Sequence, residues 1–285
     1  SIPNDLNAPP PPENYVAYTS QNVYNNNFFT FMKGRTYSDV ASSQFEEGEG
    51  FVGDKITQTN SWDGFVPTDA LYSGAAFTPE CELLTVAVST NNHVTRVSIG
   101  STVYKDSTFN GHGMARFRFP VTNLTDGLNE FLIEADGSSA TDIQYLSYIN
   151  IAYPRTTDFG NQSQLLFGLN ENPATSKYLE IQNFDHQGAN PLIYNFTNET
   201  RLEATLDGTL VKAHLPNPTP GAELFISSQS PAEIKTVTQL EPVEFVDFRD
   251  AVNQGNYLII SNRQLFDDGT GQNWVQEYAD YRASV

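Results

Sequence analysis

The chain has 285 residues and a net charge of −19, from 15 Lys and Arg against 34 Asp and Glu. A negative field of this size repels phosphate backbones and anionic lipid headgroups, which argues against nucleic acid as a partner. Hydrophobic residues make up 39% and aromatic residues 12% of the chain, enough for a folded core. No apolar run approaches the roughly 20 residues of a membrane-spanning helix. The single cysteine, Cys81, excludes an internal disulfide framework.

The first part of the chain has the pattern of short β-strands. Residues 1–13 include four consecutive prolines and are predicted to form an extended linker. Residues 14–155 are predicted to form a β-sandwich of jelly-roll type, because several segments alternate between apolar and polar residues. The predicted inward faces consist of Ala115, Phe117, Phe119 and Val121; of Phe131, Ile133 and Ala135; and of Ile143, Tyr145, Ile149, Ile151 and Tyr153.

Two turn signals predict hairpins. Residues 81–89 and 93–100 are both apolar and flank Thr90-Asn91-Asn92, so they are predicted to pair around that turn. Asp207-Gly208 lies between two alternating segments within residues 201–215, which is typical of a two-residue hairpin.

A polar segment at residues 154–164 predicts a boundary between domains. Residues 156–285 are predicted to form a β-rich domain that ends in the first βα unit of an α/β domain. The strand of this unit is expected at 256–261, where a continuous apolar run suits burial on both faces. The helix is expected at 273–284, with Trp274, Val275, Tyr278 and Tyr281 on one face. The chain is therefore predicted to be mainly β.

Nucleophilic catalysis would require Cys81 or a serine beside a histidine. Cys81 opens a strand pattern and is interpreted as a small core residue. Gly111-His112-Gly113 resembles the His-Gly element of caspase-like peptidases, but the expected order of His and Cys along the chain is reversed here. It is interpreted as a Gly-rich turn between strands.

Two acidic loops offer oxygen ligands. Glu46, Glu47 and Glu49 form one group, and Asp267 and Asp268 form the other. Calcium prefers such carboxylates, but neither loop fits an EF-hand, and both are interpreted as solvated acidic turns.

Aromatic side chains could provide a stacking platform for sugars. The candidates are Trp62, Tyr72, Tyr104 and Phe109, with Trp62 in a polar Trp-Asp-Gly segment that would leave its indole partly exposed. The competing interpretation is that these residues belong to the core, as aromatics of β-proteins commonly do.

Several short motifs in the second half resemble the gingipain family of cysteine peptidases, and in particular its sortase-like branch in the type IX secretion system. They are LEIQNF (179–184), IYNFTN (193–198) and the segment 243–284 with its NYLIIS strand and following helix. The sequence departs from the family at Asn256, where Asp is usual, and at Asn195-Phe196, which replace Asp-Val. In the first half, residues 145–155 resemble the closing strand of the domain before the peptidase. Residues 42–56 resemble an acidic segment of the family without its His.

The resemblance implies that the α/β domain begun at 256–284 is of caspase-like type. It also implies that the chain is the non-catalytic N-terminal region of a secreted or cell-surface cysteine peptidase, extracellular or associated with the outer membrane of a bacterium. In the family, the catalytic His and Cys lie in the part of the sequence after the first βα unit. No catalytic, cofactor-binding or metal residue is therefore assigned in this chain. The fragment is expected to be inactive. The implied partners are a downstream peptidase domain of the same chain and protein substrates of a secretion system. Calcium sites occur in the family, but the resemblance assigns no calcium ligand to any residue of this chain.

Two other functions stay open. The jelly roll could serve as a carbohydrate-binding surface module with Trp62 and Tyr72 as its platform. It could also belong to a structural or adhesive surface protein, because this fold hosts all three roles.

Overall fold

The computed structural model describes residues 1–30, 49–87, 92–111, 113–136 and 142–237, with shorter stretches at 239–240, 242, 247, 249–250, 259–262, 266 and 269–284. The chain divides into two compact units, Ser1–Lys235 and Thr236–Val285. The first unit is built from β-strands and the second contains a helix, so the prediction of a mainly β protein with β-sandwich architecture is confirmed.

Nineteen strands are present in the described part of the first unit. The first eleven are β1 Val16–Val23, β2 Asn27–Thr30, β3 Glu49–Val52, β4 Lys55–Thr57, β5 Trp62–Thr68, β6 Glu80–Ala87, β7 Asn92–Ile99, β8 Thr102–Asn110, β9 Gly113–Pro120, β10 Gly127–Ala135 and β11 Ile143–Arg155. The remaining eight are β12 Asp158–Gln162, β13 Gln164–Gly168, β14 Ser176–Phe184, β15 Leu192–Asn195, β16 Thr200–Glu203, β17 Thr205–Asp207, β18 Leu210–Pro216 and β19 Glu223–Ser227.

One nine-stranded sheet runs through the whole first unit, in the order β16-β15-β19-β13-β1-β11-β6-β9, with β4 also paired to β11. Two four-stranded sheets complete the layers, β5-β10-β7-β8 and β12-β14-β18-β17, and β2 pairs with β3. The pairing is antiparallel throughout except between β12 and β14. Antiparallel sheets that bury one face produce the alternation seen in the sequence.

Two hydrophobic cores lie between these layers. The first contains Phe131 and Ile149 and draws on strands β4 to β11. The second contains Phe159 and Ile226 and draws on strands β12 to β19, with Val16 of β1 added. Each fully buried aliphatic or aromatic side chain contributes about 1.5–3 kcal/mol relative to exposure, so both cores stabilise the unit substantially. Except for Val16, the residues of the two cores lie on either side of the domain boundary predicted at 155–156, which stays a prediction.

The predicted inward faces of β9 and β10 are confirmed. Phe117 and Phe119 are buried while Arg116 and Arg118 point outward, and Phe131, Ile133 and Ala135 are buried on β10. On β11 the prediction is only half right. Ile149, Ile151 and Tyr153 are buried, but Gln144 and Leu146 take the inward positions in place of Ile143 and Tyr145. A bulge between Leu146 and Tyr148 shifts the register against β6 by one residue, and this reverses the faces.

The hairpin predicted between residues 81–89 and 93–100 is wrong. β6 pairs with β9 and β11 in the nine-stranded sheet, whereas β7 pairs with β8 and β10 in the opposite sheet. In both strands the buried residues alternate with partly exposed ones at first, and the last three residues of each strand are all buried. They therefore contribute to the core from opposite sides, and the turn residues 88–91 between them lie outside the described residues. The Asp207-Gly208 hairpin is confirmed, with Asp207 opposite Leu210 and Gly208 at φ 65°.

Residues 1–13 are extended but differ from the free linker that their composition predicts. The Ile2 amide donates to the Arg201 carbonyl at 2.8 Å. Asn4 Nδ2 donates to Thr205 Oγ1 at 3.0 Å, and its Oδ1 accepts from the His214 amide at 2.8 Å. Backbone and Asn4 side-chain hydrogen bonds thus hold this segment against the strands around the second core, which form the second sandwich.

In the second unit, helix α1 spans Trp274–Ser284, which confirms the predicted helix. The Asn273 side chain caps it by accepting from the Gln276 amide at 2.9 Å. The strand predicted at 256–261 is not seen in its described part, residues 259–261, and residues 256–258 lie outside the described residues. No described helix has the length and apolar character needed to cross a membrane.

Candidate functional site

Cys81 lies on β6 with no solvent exposure, between Ile151 of β11 and Phe119 of β9. Burial raises the pKa of its thiol to about 12, and the carboxylates of Glu80 and Glu82 add to the increase. A nucleophilic cysteine requires the thiolate and an approach for substrate. Cys81 has neither, so its interpretation as a core residue fits its position.

The three described histidines have other partners. His93 Nδ1 lies 2.5 Å from Asp142 Oδ1, and His214 Nδ1 lies 2.5 Å from the Asp5 carbonyl. His186 Nδ1 accepts from the Gly188 amide at 3.0 Å. His112, in the Gly-His-Gly motif, lies outside the described residues. The geometry of the described part therefore offers no nucleophile and base arranged for catalysis.

A thiol-labelling experiment checks the state of Cys81. We expect 5,5′-dithiobis(2-nitrobenzoate) to label the native protein at least about a hundredfold more slowly than the unfolded chain, because a thiol with a pKa of about 12 holds almost no thiolate at pH 8. Unfolding returns the thiol pKa to its ordinary range and restores labelling. Equal rates in native and unfolded protein would contradict the burial of Cys81.

A buried polar network surrounds His93. Asp142 Oδ2 accepts from the Val94 amide at 3.2 Å, and Gln144 Nε2 donates to Asp142 Oδ1 at 3.1 Å. Thr95 Oγ1 donates to Gln144 Oε1 at 2.6 Å. All four side chains are buried, with His93 and Asp142 at 0% exposure. A histidine-carboxylate pair can act as an acid-base couple only where substrate reaches it. Here the pair joins β7 to the start of β11, so it is a structural element.

The strands around the first core form the first sandwich, and a cleft of about 570 Å³ lies at its end where β1 finishes. We call it the Trp62 cleft. It is lined by Asn27, Asp54, Lys55, Asn60, Ser61, Trp62, Asp63 and Tyr145. Two aromatic side chains, two carboxylates and two amides thus meet around one space. Sites for small polar molecules combine a flat apolar surface with a few directed hydrogen-bonding groups in this way.

The polar side of the cleft is preorganised. Asp54 Oδ1 accepts from Asn26 Nδ2 and Asn27 Nδ2, both at 2.9 Å, which fixes the direction of its carboxylate. Asn60 Nδ2 donates to the Lys55 carbonyl at 2.6 Å. These bonds hold the groups in place before any ligand arrives, so a ligand would not bear the cost of ordering them.

The indole of Trp62 is held from two sides. Its ring packs edge-to-face against Tyr24, with centroids 5.0 Å apart and planes at 68°. It also lies over Gly64, where an added Cβ would come within 2.7 Å of Trp62 Cη2. Burial raises the pKa of the Tyr24 hydroxyl to about 12. A side chain at position 64 would therefore force the indole to shift, and the contact with Gly64 orients Trp62.

We expect Gly64→Ala to displace Trp62 and to lower the free energy of unfolding by about 1–3 kcal/mol, because the new methyl group overlaps the indole. Tryptophan fluorescence in a Trp274→Phe background reports the displacement. Gly113→Ala is the matched control, since nothing lies within 4 Å of its Cβ position. An unchanged emission spectrum in Gly64→Ala would contradict the packing of Trp62 on Gly64.

The other predicted platform residues do not join Trp62. Tyr72 stacks on Tyr15 before β1, with centroids 5.3 Å apart, whereas Trp62 packs on Tyr24 after β1. Tyr15 and Tyr24 flank the eight residues of β1, which places them about 30 Å apart at roughly 3.3 Å per residue. The prediction of a shared Trp62 and Tyr72 platform is therefore wrong.

Tyr104 and Phe109 support the first core. The Tyr104 hydroxyl donates to Asn123 Oδ1 at 2.5 Å, and its ring stacks on Phe119. Phe109 packs on the His93 ring with centroids 5.0 Å apart. Both follow the alternative interpretation of the sequence, in which aromatics are core residues.

Metal ligation has little support in the described residues. No group of three His, Cys, Asp or Glu side chains there is arranged to hold an ion. The acidic loops with Glu46, Glu47, Asp267 and Asp268 lie outside the described residues, as does the side chain of Glu49. The implied calcium therefore has no assigned ligands.

The outer face of the nine-stranded sheet carries a small charged network. Glu82 contacts Arg118 Nε and lies 3.8 Å from Arg116 Nε, and it accepts from the Tyr148 hydroxyl at 2.6 Å. The Tyr148 hydrogen bond and then the two arginines hold the pKa of Glu82 below its usual range. The arginines are more than 60% exposed, so this network contributes at most about 1 kcal/mol.

Sequence comparisons identify no protein family that matches this chain, and no curated protein matches it either. Structural comparison does find similar folds. The crystal structure of dimeric latent PorU from Porphyromonas gingivalis aligns with 79% of this chain at 9% identity and a TM-score of 0.54. The alignment spans 22% of the PorU chain. This similarity shows a shared fold and a weak structural relationship.

Two carbohydrate-binding modules also align with part of the chain. One is the CBM36-1 domain of a multidomain xylanase from the hindgut metagenome of Trinervitermes trinervoides, at 11% identity over 47% of this chain and 95% of that domain, with a TM-score of 0.29. The other is a CBM36 module in complex with calcium and xylotriose, at 10% identity over 47% of this chain and 98% of that module, with a TM-score of 0.28. These TM-scores are too low to carry an argument about function.

Proposed function

We propose that this chain is the non-catalytic β-sandwich region of a gingipain-like cysteine peptidase and that it supports or orients a catalytic domain of the same protein. The observation that carries the proposal is the shared fold with PorU over 79% of this chain. The segments 179–184, 193–198 and 243–284, which resemble the gingipain family, support it from the sequence. The burial of Cys81 supports an architectural role for the region itself.

The proposal places the protein outside the cell or on a bacterial cell surface, associated with the outer membrane. Its partners would be the downstream peptidase domain and the protein substrates of a type IX secretion system.

The first test is to read the source gene beyond the codon for Val285. We expect the reading frame to continue for several hundred residues, with an apolar strand that ends in His-Gly and a later strand that ends in Cys. A stop codon directly after Val285, or a continuation without that pair, would overturn the proposal.

A second test uses the chain itself in an assay for hydrolysis of unfolded casein. We expect no turnover, because the one thiol is buried and protonated. Turnover that is lost in Cys81→Ala would contradict an inactive region.

A second candidate function is binding of a carbohydrate in the Trp62 cleft. The observation that favours it is an indole held by Tyr24 and Gly64 next to the fixed carboxylate of Asp54. Sugar rings stack their C–H faces on aromatic surfaces. Carboxylates accept hydrogen bonds from the sugar hydroxyls, and amide groups donate hydrogen bonds to them.

A glycan array and titration calorimetry test this second function. We expect binding to be lost in Trp62→Ala and retained in Tyr72→Ala, which removes a comparable aromatic ring at the opposite end of the sandwich. Circular dichroism checks that both variants are folded. An array without signal, or equal binding by both variants, would argue against the Trp62 cleft as a sugar site.

A further inference from the structure

A lysine, an asparagine and a glutamate meet inside the second sandwich. The Lys177 side chain is 1% exposed, Asn170 is 4% exposed and the Glu13 side chain is 22% exposed. Lys177 Nζ lies 3.2 Å from Glu13 Oε1 and also donates to Asn170 Oδ1. Asn170 Nδ2 donates to Glu13 Oε2. The three side chains thus form a closed triangle of contacts.

The position of Lys177 is unusual for a lysine. It lies at the start of β14, opposite Leu215 of β18, and next to the buried Tyr178. Lysine is almost never fully buried, because removing the ammonium from water is costly unless a partner compensates. The strand buries an apolar face, so an aliphatic side chain would suit the position better. The Glu13 carboxylate is the charged partner of the Lys177 amine, so the pair places a nucleophile and a base side by side inside the fold.

We infer that Lys177 and Asn170 form an isopeptide bond, with Glu13 as the acid-base catalyst. Glu13 takes a proton from Lys177 Nζ, and the amine lone pair attacks Asn170 Cγ. A tetrahedral intermediate forms, and Glu13 returns the proton to Nδ2. Glu13 then takes a second proton from Nζ as the Cγ–Nδ2 bond breaks, and passes it to the released ammonia. The products are a secondary amide between Nζ and Cγ, one ammonium ion and the regenerated Glu13 carboxylate. No oxidant, reductant or co-reactant takes part.

The contacts supply what each step requires. The hydrogen bond from Lys177 Nζ to Asn170 Oδ1 brings the nucleophile beside the carbonyl that it attacks. Glu13 contacts both nitrogens between which the proton moves. The Asn172 amide lies 3.3 Å from Asn170 Oδ1 and donates to it, so it stabilises the negative charge that develops on this oxygen. Fixing all groups in one site raises their effective concentration by many orders of magnitude.

The backbone holds the triad in register. The Glu13 amide donates to the Tyr178 carbonyl at 2.8 Å, which binds the N-terminal segment to β14. Asn170 also lies on the wall of a cleft of about 380 Å³ with Leu169 and Gly221, which gives the ammonia a way out. This bond is independent of the proposed peptidase context and of the Trp62 cleft.

Intact-mass spectrometry of the wild-type protein tests the inference. We expect a mass lower than the sequence mass by one ammonia, because the cross-link releases it. Tryptic digestion should then fail to cleave after Lys177, and fragmentation should place the link between Asn170 and Lys177. The full sequence mass together with normal cleavage after Lys177 would overturn the inference.

Two further results sharpen the test. We expect Glu13→Gln, which keeps the size of the side chain, to have its full sequence mass and to be cleaved after Lys177. A cross-link that persists in Glu13→Gln would overturn the role of Glu13. A loss of ammonia with normal cleavage after Lys177 would mean a succinimide at asparagine and would also overturn the inference. The wild-type measurement stands even where a variant fails to fold.

Discussion

Replacing Asp142 by alanine is expected to lower the free energy of unfolding by about 3–5 kcal/mol. The substitution removes the acceptor of His93, of the Val94 amide and of Gln144 in a site with no solvent exposure. Water cannot replace the lost hydrogen bonds without entering the first core. The free energy of unfolding therefore falls by the full cost of burying these donors without a partner. Urea denaturation followed by circular dichroism measures the change.

Asp136→Ala is the matched control for Asp142→Ala. Asp136 also pairs with a basic side chain, with Oδ2 at 2.5 Å from Arg96 Nη1, but its side chain is 48% exposed. We expect a loss of at most about 1 kcal/mol there, because water and salt screen the pair. If both variants lose the same small amount, the buried network contributes far less than its geometry indicates.

Phe159→Ala is expected to destabilise the second core by about 3–5 kcal/mol. Phe159 has no exposed surface and lies edge-on to Phe167 at 5.2 Å and to Phe184 at 6.5 Å. Its removal leaves a cavity among aromatic rings that cannot close without shifting three strands. The measurement is the midpoint of urea unfolding.

Phe196→Ala is the matched control, because it makes the same chemical change at an exposed position. Phe196 stacks on Phe225 at 6.3 Å but is 54% exposed, so its loss leaves no buried cavity. We expect a cost of about 0.5–1.5 kcal/mol. A similar cost for Phe159→Ala would show that the second core relaxes around the missing ring.

Alternation predicted the faces of β9 and β10 because each strand has one side in a core and one outside. The same reasoning missed the β11 bulge, since an extra residue at 146–148 has no compositional signature in this sequence. It also paired β6 with β7, because a polar turn between two apolar runs can either reverse a strand within a sheet or carry it to the opposite sheet. Only the strands that pair with β6, which are β9 and β11, decide between these two arrangements.

The candidate sites were predicted in part. The polar setting of Trp62 indicated an exposed indole, and it lines the cleft. The grouping of Asp54, Asn27 and Tyr145 around it could not be found, because these residues are distant in sequence and meet only through the sheet. Lys177 was not predicted, because a lysine at the start of an apolar strand is ordinarily exposed. Its partner Glu13 stands in a segment whose prolines indicate a linker.

The way β1 joins the two sandwiches has a mechanical consequence. β1 is bound to β11 through eight consecutive residue pairs, but to β13 through the single pair Ala17 and Gly168. A side chain at Gly168 would press on Ala17, with Cβ atoms 3.3 Å apart. Tension applied along β1 therefore loads its β11 edge in shear, where many bonds must fail together. Tension across the sheet opens the Ala17 and Gly168 edge first, so the nine-stranded sheet is strong in one direction and yields in the other.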